Sequence, residues 1–171
     1  QPVAIGEIGL DYFVETLDRD AQQTLFEAQI HCAIRHQLPL ILHVRRSHDA
    51  VIQTLKRCKF DWGGIVHAFA GSREQANEFI KLGFCLGFGG VMTYEGSKRV
   101  RKLAAELPLS AIVLETDAPD MRPADWSLEH NLPTSLSMGF KALCSLRAED
   151  AELLAAQTTQ NAIRVLGLDR R

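Results

Sequence analysis

The sequence predicts an α/β fold of the TIM-type (β/α) barrel class. Five short apolar runs are each followed by a segment with helical periodicity, the pattern of right-handed β-α-β units in a parallel sheet. Four of these runs end on a histidine, a glutamate or an aspartate. Such residues converge at the carboxyl ends of barrel strands, whereas an open sheet spreads them along an edge. We therefore expect a barrel rather than a doubly wound sheet.

The predicted strands are the apolar runs themselves. A continuously apolar run is typical of a strand that is buried on both faces. A carboxylate at the end of such a strand has no structural reason to be there unless it faces a cation or a polar pocket. The five strands are predicted at Val3–Gly6, Leu40–His43, Gly64–His67, Phe84–Phe88 and Ala111–Glu115.

The predicted helices are assigned from apolar stripes and capping residues. In the first helix the stripe includes Leu25, Phe26, Ile30 and Ala33. A serine stands at the start of the second helix and of the third, where its hydroxyl can cap the first turn. The helices are predicted at about Asp20–His36, from about Ser47, from Ser72 to a stop at Gly83, at Ser97–Glu106, at about Leu136–Leu146 and at about Glu149–Leu166.

The number of strands falls short of a closed barrel. A TIM-type barrel has eight strands and typically ~250 residues, whereas this chain has 171 residues and five predicted strands. We expect residues 1–171 to form a single domain that is the C-terminal portion of a barrel, about five strand–helix units of eight. Three further units are expected ahead of Gln1.

Composition narrows the possible functions. Hydrophobic residues make up 46% of the chain, enough for a substantial core. The 19 lysines and arginines are balanced by 21 aspartates and glutamates, so there is no overall basic field for nucleic acid, although a cleft can be locally basic. The four cysteines form no C-x-x-C pair, which argues against a zinc ribbon and a redox motif. With no apolar run of ~18 residues and no signal-peptide pattern, we expect a cytoplasmic protein without a membrane partner.

Four motifs in order resemble those of the TatD-type metal-dependent hydrolases and deoxyribonucleases, a family of amidohydrolase-like barrels. One match would be weak, but four in the proper order are strong. The stretch E-T-D-A-P-D-M, preceded by L-P-L-S, is nearest the bacterial YjjV-like subgroup. The motifs are G-E-I-G-L-D at Gly6–Asp11, L-H-V-R at Leu42–Arg45, H-A-F-A-G-S at His67–Ser72 and L-E-T-D-A-P at Leu114–Pro119.

The resemblance implies a metal centre. Glu7 would be the bridging carboxylate, His43 and His67 would complete the shell of one metal, and Asp117 would serve the other metal while activating the attacking water. The family's His-x-His pair has no counterpart in this chain. One cation could therefore be held by Glu7, His43 and His67, whereas the companion site keeps only Glu7 and Asp117. In the family, this pair lies on the first strand of the barrel.

The residue types agree with that chemistry. Imidazole and carboxylate together suit Zn²⁺, Mn²⁺ or Mg²⁺, and one or two such ions can bind a phosphodiester while generating hydroxide near neutral pH. Arg45 could bind a phosphate oxygen through its planar guanidinium, or it could be solvated like its neighbour Arg46. Glu115 could orient neighbouring loops by hydrogen bonding, and Asp11 could act in the site or cap the following loop.

Three functional hypotheses follow. The first is a divalent-metal-dependent deoxyribonuclease that hydrolyses phosphodiester bonds in DNA, with Asp117 as the catalytic base. The second keeps the metal centre but takes an amide, a lactone or another ester of a small molecule as substrate. The third is a catalytically impaired fragment whose two exposed sheet edges require a missing segment or self-association.

Overall fold

The computed structural model describes residues 2–170, which form a parallel sheet of five strands with helices between them. The strands are Ile5–Asp11 (β1), Leu40–Arg45 (β2), Gly64–Val66 (β3), Phe84–Phe88 (β4) and Ile112–Leu114 (β5). The helices are Arg19–His36 (α1), His48–Arg57 (α2), Arg73–Lys81 (α3), Lys98–Glu106 (α4), Leu136–Leu146 (α5) and Ala151–Val165 (α6). Short 3-10 turns lie at Gly90–Thr93, Leu109–Ala111, Pro133–Ser135 and Leu168–Arg170.

The strand order follows the chain, from β1 at one edge to β5 at the other. Each of the four connections between neighbouring strands contains an α-helix. A doubly wound sheet reverses its order at a switch point, whereas a sheet that grows in one direction is the arrangement of a (β/α) barrel. The predicted alternation of strands and helices is therefore confirmed.

The face of the sheet that packs against helices α1 to α5 is part of a continuous hydrophobic core. Leu42, Val66, Leu86 and Ile112 lie in register across four strands, and each is completely buried. Burial of an aliphatic side chain of this size contributes roughly 1.5–3 kcal/mol. This row fixes the strand register, because a slip by one residue would turn the apolar side chains to the opposite face.

The opposite face, here called the inner face, is less completely covered. Ile41, Ile65 and Cys85 lie in register on it. Cys85 and Val113 pack with Val165 of α6 in a second, smaller cluster, while Ile41 and Ile65 remain partly exposed. The inner face is thus apolar at the amino ends of the strands.

Strand β1 begins later and extends further than the sequence predicts, and it contains a β-bulge. Ile5 pairs with Leu40 and Ile8 pairs with Leu42, so three steps along β1 oppose two along β2. A bulge of this kind bends the strand and redirects a side chain. Glu7 therefore lies within the strand, in the bulge, and not after its end.

The two serine caps differ in the structure. Ser72 forms a capping box with Gln75 at the start of α3, as predicted. Ser47 occupies the N-cap position of α2 but makes no capping hydrogen bond. Its hydroxyl instead donates to the carbonyl oxygen of Leu10, which links the start of α2 to the end of β1.

The apolar stripe of α1 is narrower than predicted. Phe26, Ile30 and Ala33 are completely buried, whereas the side chain of Leu25 is 61% exposed. The buried residues follow the i, i+4, i+7 spacing of one helix face, and Leu25 lies about 100° away from them around the helix. In the part of the chain that the structure describes, none of the helices is both long enough and apolar enough to cross a membrane.

Candidate metal centre

The carboxyl ends of the strands bring acidic and imidazole side chains to the inner face. Glu7 lies in the bulge of β1, His43 lies within β2, His67 follows β3 directly, and Asp117 lies three residues after β5. These four side chains and Arg45 line one open cavity of about 1040 Å³. The structure thus brings together the four predicted metal ligands and Arg45.

Glu7 and His43 form the first pair. The Oε1 atom of Glu7 lies 2.8 Å from Nδ1 of His43, and both side chains are about 40% exposed. The other ring nitrogen of His43, Nε2, lies 3.2 Å from Oδ2 of Asp11. Because both ring nitrogens have an acidic partner, the orientation of the imidazole is fixed.

Asp11 has both of the roles that the sequence left open. Its Oδ1 accepts hydrogen bonds from the N–H groups of Phe13 (2.9 Å) and Val14 (3.4 Å), which shapes the loop after β1, while its Oδ2 faces His43. Burial acts to raise the pKa of this carboxyl, but the hydrogen bonds from Phe13, His43 and Val14 outweigh it and hold the pKa below its ordinary value. Asp11 is thus a stable anion beside His43.

His67, Glu115 and Asp117 form the second group. The Nδ1 atom of His67 lies 3.1 Å from Oε1 of Glu115, and its Nε2 atom lies 3.5 Å from Oδ1 of Asp117. The same Oε1 of Glu115 accepts a hydrogen bond from the N–H of Ala68 at 2.7 Å. Glu115 therefore holds both the ring of His67 and the backbone that follows it.

The acidic surroundings of His67 change its protonation. The hydrogen bond to Glu115 raises its pKa; burial opposes this, but the charges of Glu115, Asp117 and Glu7 add to it, and the pKa rises to about 9. In the absence of a metal, His67 therefore carries a proton near neutral pH. A metal ion that binds the ring must displace this proton.

Gly87 provides the space that the Glu115 carboxylate occupies. Gly87 lies in β4, two residues after Cys85, and so also faces inward. A Cβ atom at this position would lie 2.1 Å from Oε2 of Glu115. No local pattern in the sequence marks this glycine, because the contact joins two strands that are distant along the chain.

The side-chain types fit a divalent metal ion, but their ligand atoms do not surround a common point. Two imidazoles and two carboxylates are the ligand chemistry of Zn²⁺ or Mn²⁺, and Mg²⁺ would need additional oxygen ligands. Within residues 2–170, no group of three or more histidine, cysteine, aspartate or glutamate side chains has the geometry to hold an ion. The donors instead contact one another, Glu7 with His43 and His67 with Asp117. A bound ion would replace these contacts.

Arginines surround the acidic centre. Arg45, Arg46 and Arg99 line the same cavity, and all three are exposed. The guanidinium carbons of Arg45 and Arg46 lie 3.7 and 4.7 Å from the centre of the Phe13 ring, which also lines the cavity. The sequence predicted only Arg45. Phe13, Arg46 and Arg99 come from different elements, so their proximity has no signature along the chain.

Comparison with known proteins places these features in a family. A family model described as TatD related DNase matches residues 1–167. The uncharacterized metal-dependent hydrolase YjjV of Escherichia coli (strain K12) is 42% identical over 159 residues, which cover 93% of this chain and 61% of YjjV. An uncharacterized metal-dependent hydrolase of Haemophilus influenzae is 41% identical over 166 residues, 95% of this chain and 63% of the relative. The chain thus spans just over three fifths of the length of these relatives.

Solved structures show the same fold. The crystal structure of YjjV, a TatD homolog from E. coli, superimposes with a TM-score of 0.91 at 41% identity, covering 95% of this chain and 62% of that one. A hydrolase TatD family protein from Entamoeba histolytica superimposes with a TM-score of 0.82 at 20% identity, over 95% of this chain and 62% of that one. The second match shows the fold alone. Together they agree with a five-stranded portion of a TIM-type barrel.

Proposed function

The chain belongs to the family of TatD-related DNases, and from this premise we propose that it takes part in the divalent-metal-dependent hydrolysis of phosphodiester bonds in DNA. The observation that carries the proposal is the layout of the cavity. Imidazoles and carboxylates lie at the strand ends, and exposed arginines surround them. The first group suits a divalent cation, and the second suits an anionic substrate.

The proposed ligands are Glu7, His43, His67 and Asp117. One ion would be held by Glu7, His43 and His67, and a second would share Glu7 and Asp117. Bound divalent ions would neutralise phosphate charge and lower the pKa of a water molecule toward neutrality. Glu7 lies in the β1 bulge, beside His43, the other proposed ligand that it contacts.

Asp117 is the proposed general base. Its carboxylate lies next to Nε2 of His67 and is 38% exposed, so it can reach a water molecule in the open cavity. It would accept the proton of that water during attack on the phosphorus. Glu115 and Asp11 would not touch the substrate. They would hold His67 and His43 in place through the ring nitrogens that face away from the metal-binding side.

The arginines favour a phosphoester over a neutral amide or ester as substrate. Arg45 and Arg46 are fixed over Phe13, and Arg99 of α4 lines the same cavity. A guanidinium can form two parallel hydrogen bonds to a phosphate, whereas a neutral carbonyl gains little from three cations. We therefore rank DNA above a small neutral substrate.

We also propose a cytoplasmic location, which agrees with the absence of disulfide bonds among the four cysteines in the described chain. Cys32, Cys58, Cys85 and Cys144 are all free in the structure. Unpaired thiols are typical of proteins in a reducing compartment. Cell fractionation with an antibody against the chain would test this part of the proposal, and a membrane-associated pool would contradict it.

Metal content and cleavage, measured on the same samples, test the function. The purified chain should retain divalent metal in elemental analysis and should cleave a labelled single-stranded oligonucleotide. Glu7→Gln should lose both, because the shared carboxylate ligand is gone. Glu27→Gln, which removes a carboxylate that pairs with Arg57 outside the cavity, should retain both. Absence of metal and cleavage from the unaltered chain, or equal activity in Glu7→Gln, would overturn the proposal.

A further inference from the structure

Phe13 is an exposed aromatic residue with no role in the core. Its side chain is 44% exposed, and it lies in the loop that follows β1. Two guanidinium groups contact its ring, from Arg45 at the end of β2 and from Arg46 directly after it. All three side chains line the cavity that contains Glu7 and His43.

The ring holds two like charges near each other. Two guanidinium groups repel, but each is attracted to the electron-rich face of an aromatic ring within about 6 Å. The positive charge of Arg45 is partly compensated by Asp11, because Oδ2 of Asp11 lies 3.8 Å from Nη1 of Arg45. Arg46 makes no ion pair within residues 2–170. Of the two guanidinium groups, that of Arg46 is therefore the one that has no ion-pair partner in the described chain.

This cationic pair lies close to the proposed metal ligands. Nη1 of Arg45 is 3.8 Å and Nε2 of His43 is 3.2 Å from the same Oδ2 atom of Asp11, so the two nitrogens are within about 7 Å of each other. The Nδ1 side of the same ring faces Glu7, so the arginines and the proposed metal position lie on opposite sides of one imidazole. A phosphate at the arginines and another at the metal centre could thus belong to one strand.

We propose that Phe13 is a positioning residue that holds Arg45 and Arg46 as a second phosphate subsite, one nucleotide away from the phosphodiester that is hydrolysed. This inference rests on the proposed function and narrows it. The preferred substrate would be an oligonucleotide with at least two phosphates, and a mononucleotide would occupy only one of the two positions.

Binding without metal tests the subsite separately from catalysis. Fluorescence competition in EDTA would measure the affinity for pentathymidylate, which without metal depends on the arginines. Phe13→Leu should lower this affinity roughly two- to fivefold, the range for a lost cation–π contact at an exposed site. Phe13→Tyr should keep the affinity, because the aromatic face remains. The control Trp62→Leu removes another exposed aromatic residue, which precedes β3 at the opposite end of the sheet.

The dependence of binding on salt tests the arginines. Arg46→Gln should reduce the slope of log affinity against log salt for pentathymidylate by about 0.7, the value for one lost contact to a single-stranded phosphate. Arg57→Gln removes an arginine that pairs with Glu27 outside the cavity and should leave the slope unchanged.

The two proposals fail in different ways. If Phe13→Leu and Arg46→Gln leave the affinity and the slope unchanged, or if pentathymidylate does not bind, the subsite is wrong whether or not the chain cleaves DNA. If those binding effects occur but no metal-dependent cleavage is found, the subsite stands as a phosphate-binding surface and the proposed hydrolysis is wrong.

Discussion

The Oε1 atom of Glu115 lies 3.1 Å from Nδ1 of His67. This carboxylate follows β5 and the imidazole follows β3, so the contact spans two strand ends that are 48 residues apart in the sequence. It leaves Nε2 of His67 facing Asp117 and the cavity. The direction in which His67 presents its Nε2 atom, the proposed metal ligand, is thus set by a residue outside the proposed ligand set.

Replacing Glu115 by glutamine should weaken metal binding. The amide can still accept the Ala68 N–H, but it loses the charge that orients His67 and increases its basicity. Loss of such a partner typically lowers metal affinity about 10- to 100-fold. Calorimetric titration with Mn²⁺ would measure this, with Glu106→Gln of α4 as the matched control. Unchanged affinity in Glu115→Gln would contradict the orienting role.

Gly87→Ala should displace the Glu115 carboxylate. The added Cβ atom would lie 2.1 Å from Oε2 of Glu115, so either the side chain or β4 must shift. Overpacking of this kind destabilises a protein by about 1–3 kcal/mol, which urea unfolding would detect. Gly96→Ala is the control, because a Cβ there would have no neighbour within 4 Å. Equal stability of the two variants would show that the inner face accommodates a Cβ atom at position 87 without strain.

Two substitutions on α1 should differ sharply in their effect on stability. Ile30 is completely buried, and Ile30→Ala should lower the free energy of unfolding by about 2–5 kcal/mol. Leu25 is 61% exposed, and Leu25→Ala should change the free energy of unfolding by less than about 0.5 kcal/mol. Thermal or urea unfolding of the two variants would measure both values. Comparable losses would mean that Leu25 also contacts the core.

Glu78 should titrate at unusually low pH. Its hydrogen bonds to Lys56 of α2 and to Lys81, the latter at 2.7 Å, lower the pKa of this carboxyl to about 2. Since the pKa in the folded state lies below the ordinary value of 4.5, the stabilisation is present above pH 4.5 and is lost as the pH falls through about 2.

NMR titration of the Glu78 carboxyl carbon would measure this pKa. Lys56→Met should raise it toward 4.5, because the hydrogen bond from Lys56 is the largest contribution to the lowered pKa. Lys102→Met, which removes an exposed lysine of α4, should leave it unchanged. A midpoint near 4.5 in the unaltered protein would show that water screens both ammonium groups.

The sequence predicted the features that depend on short-range patterns. Strand β4 was predicted with its observed ends, because Gly83 precedes it and its residues are apolar throughout. The convergence of Glu7, His43, His67 and Asp117 followed from four motifs at strand ends. These signals are local, so a single chain is enough to show them.

The features that the sequence did not predict depend on contacts between distant elements. The β1 bulge is visible only as a shift in pairing with β2. The space at Gly87 is defined by Glu115, and the cationic pair is defined by the position of Phe13 relative to the end of β2. No periodicity along the chain encodes these distances.

The sequential strand order divides the site into two halves. Glu7 and His43 belong to β1 and β2, whereas His67 and Asp117 follow β3 and β5. The only strand ladder between the halves is the β2–β3 pairing, which in the described chain consists of three residue pairs, Leu40 with Gly64, Ile41 with Ile65 and Leu42 with Val66. A ligand bound to both halves would cross-link the sheet at this junction. Its binding would then stabilise the fold, and the free energy of unfolding would increase with the logarithm of the ligand concentration.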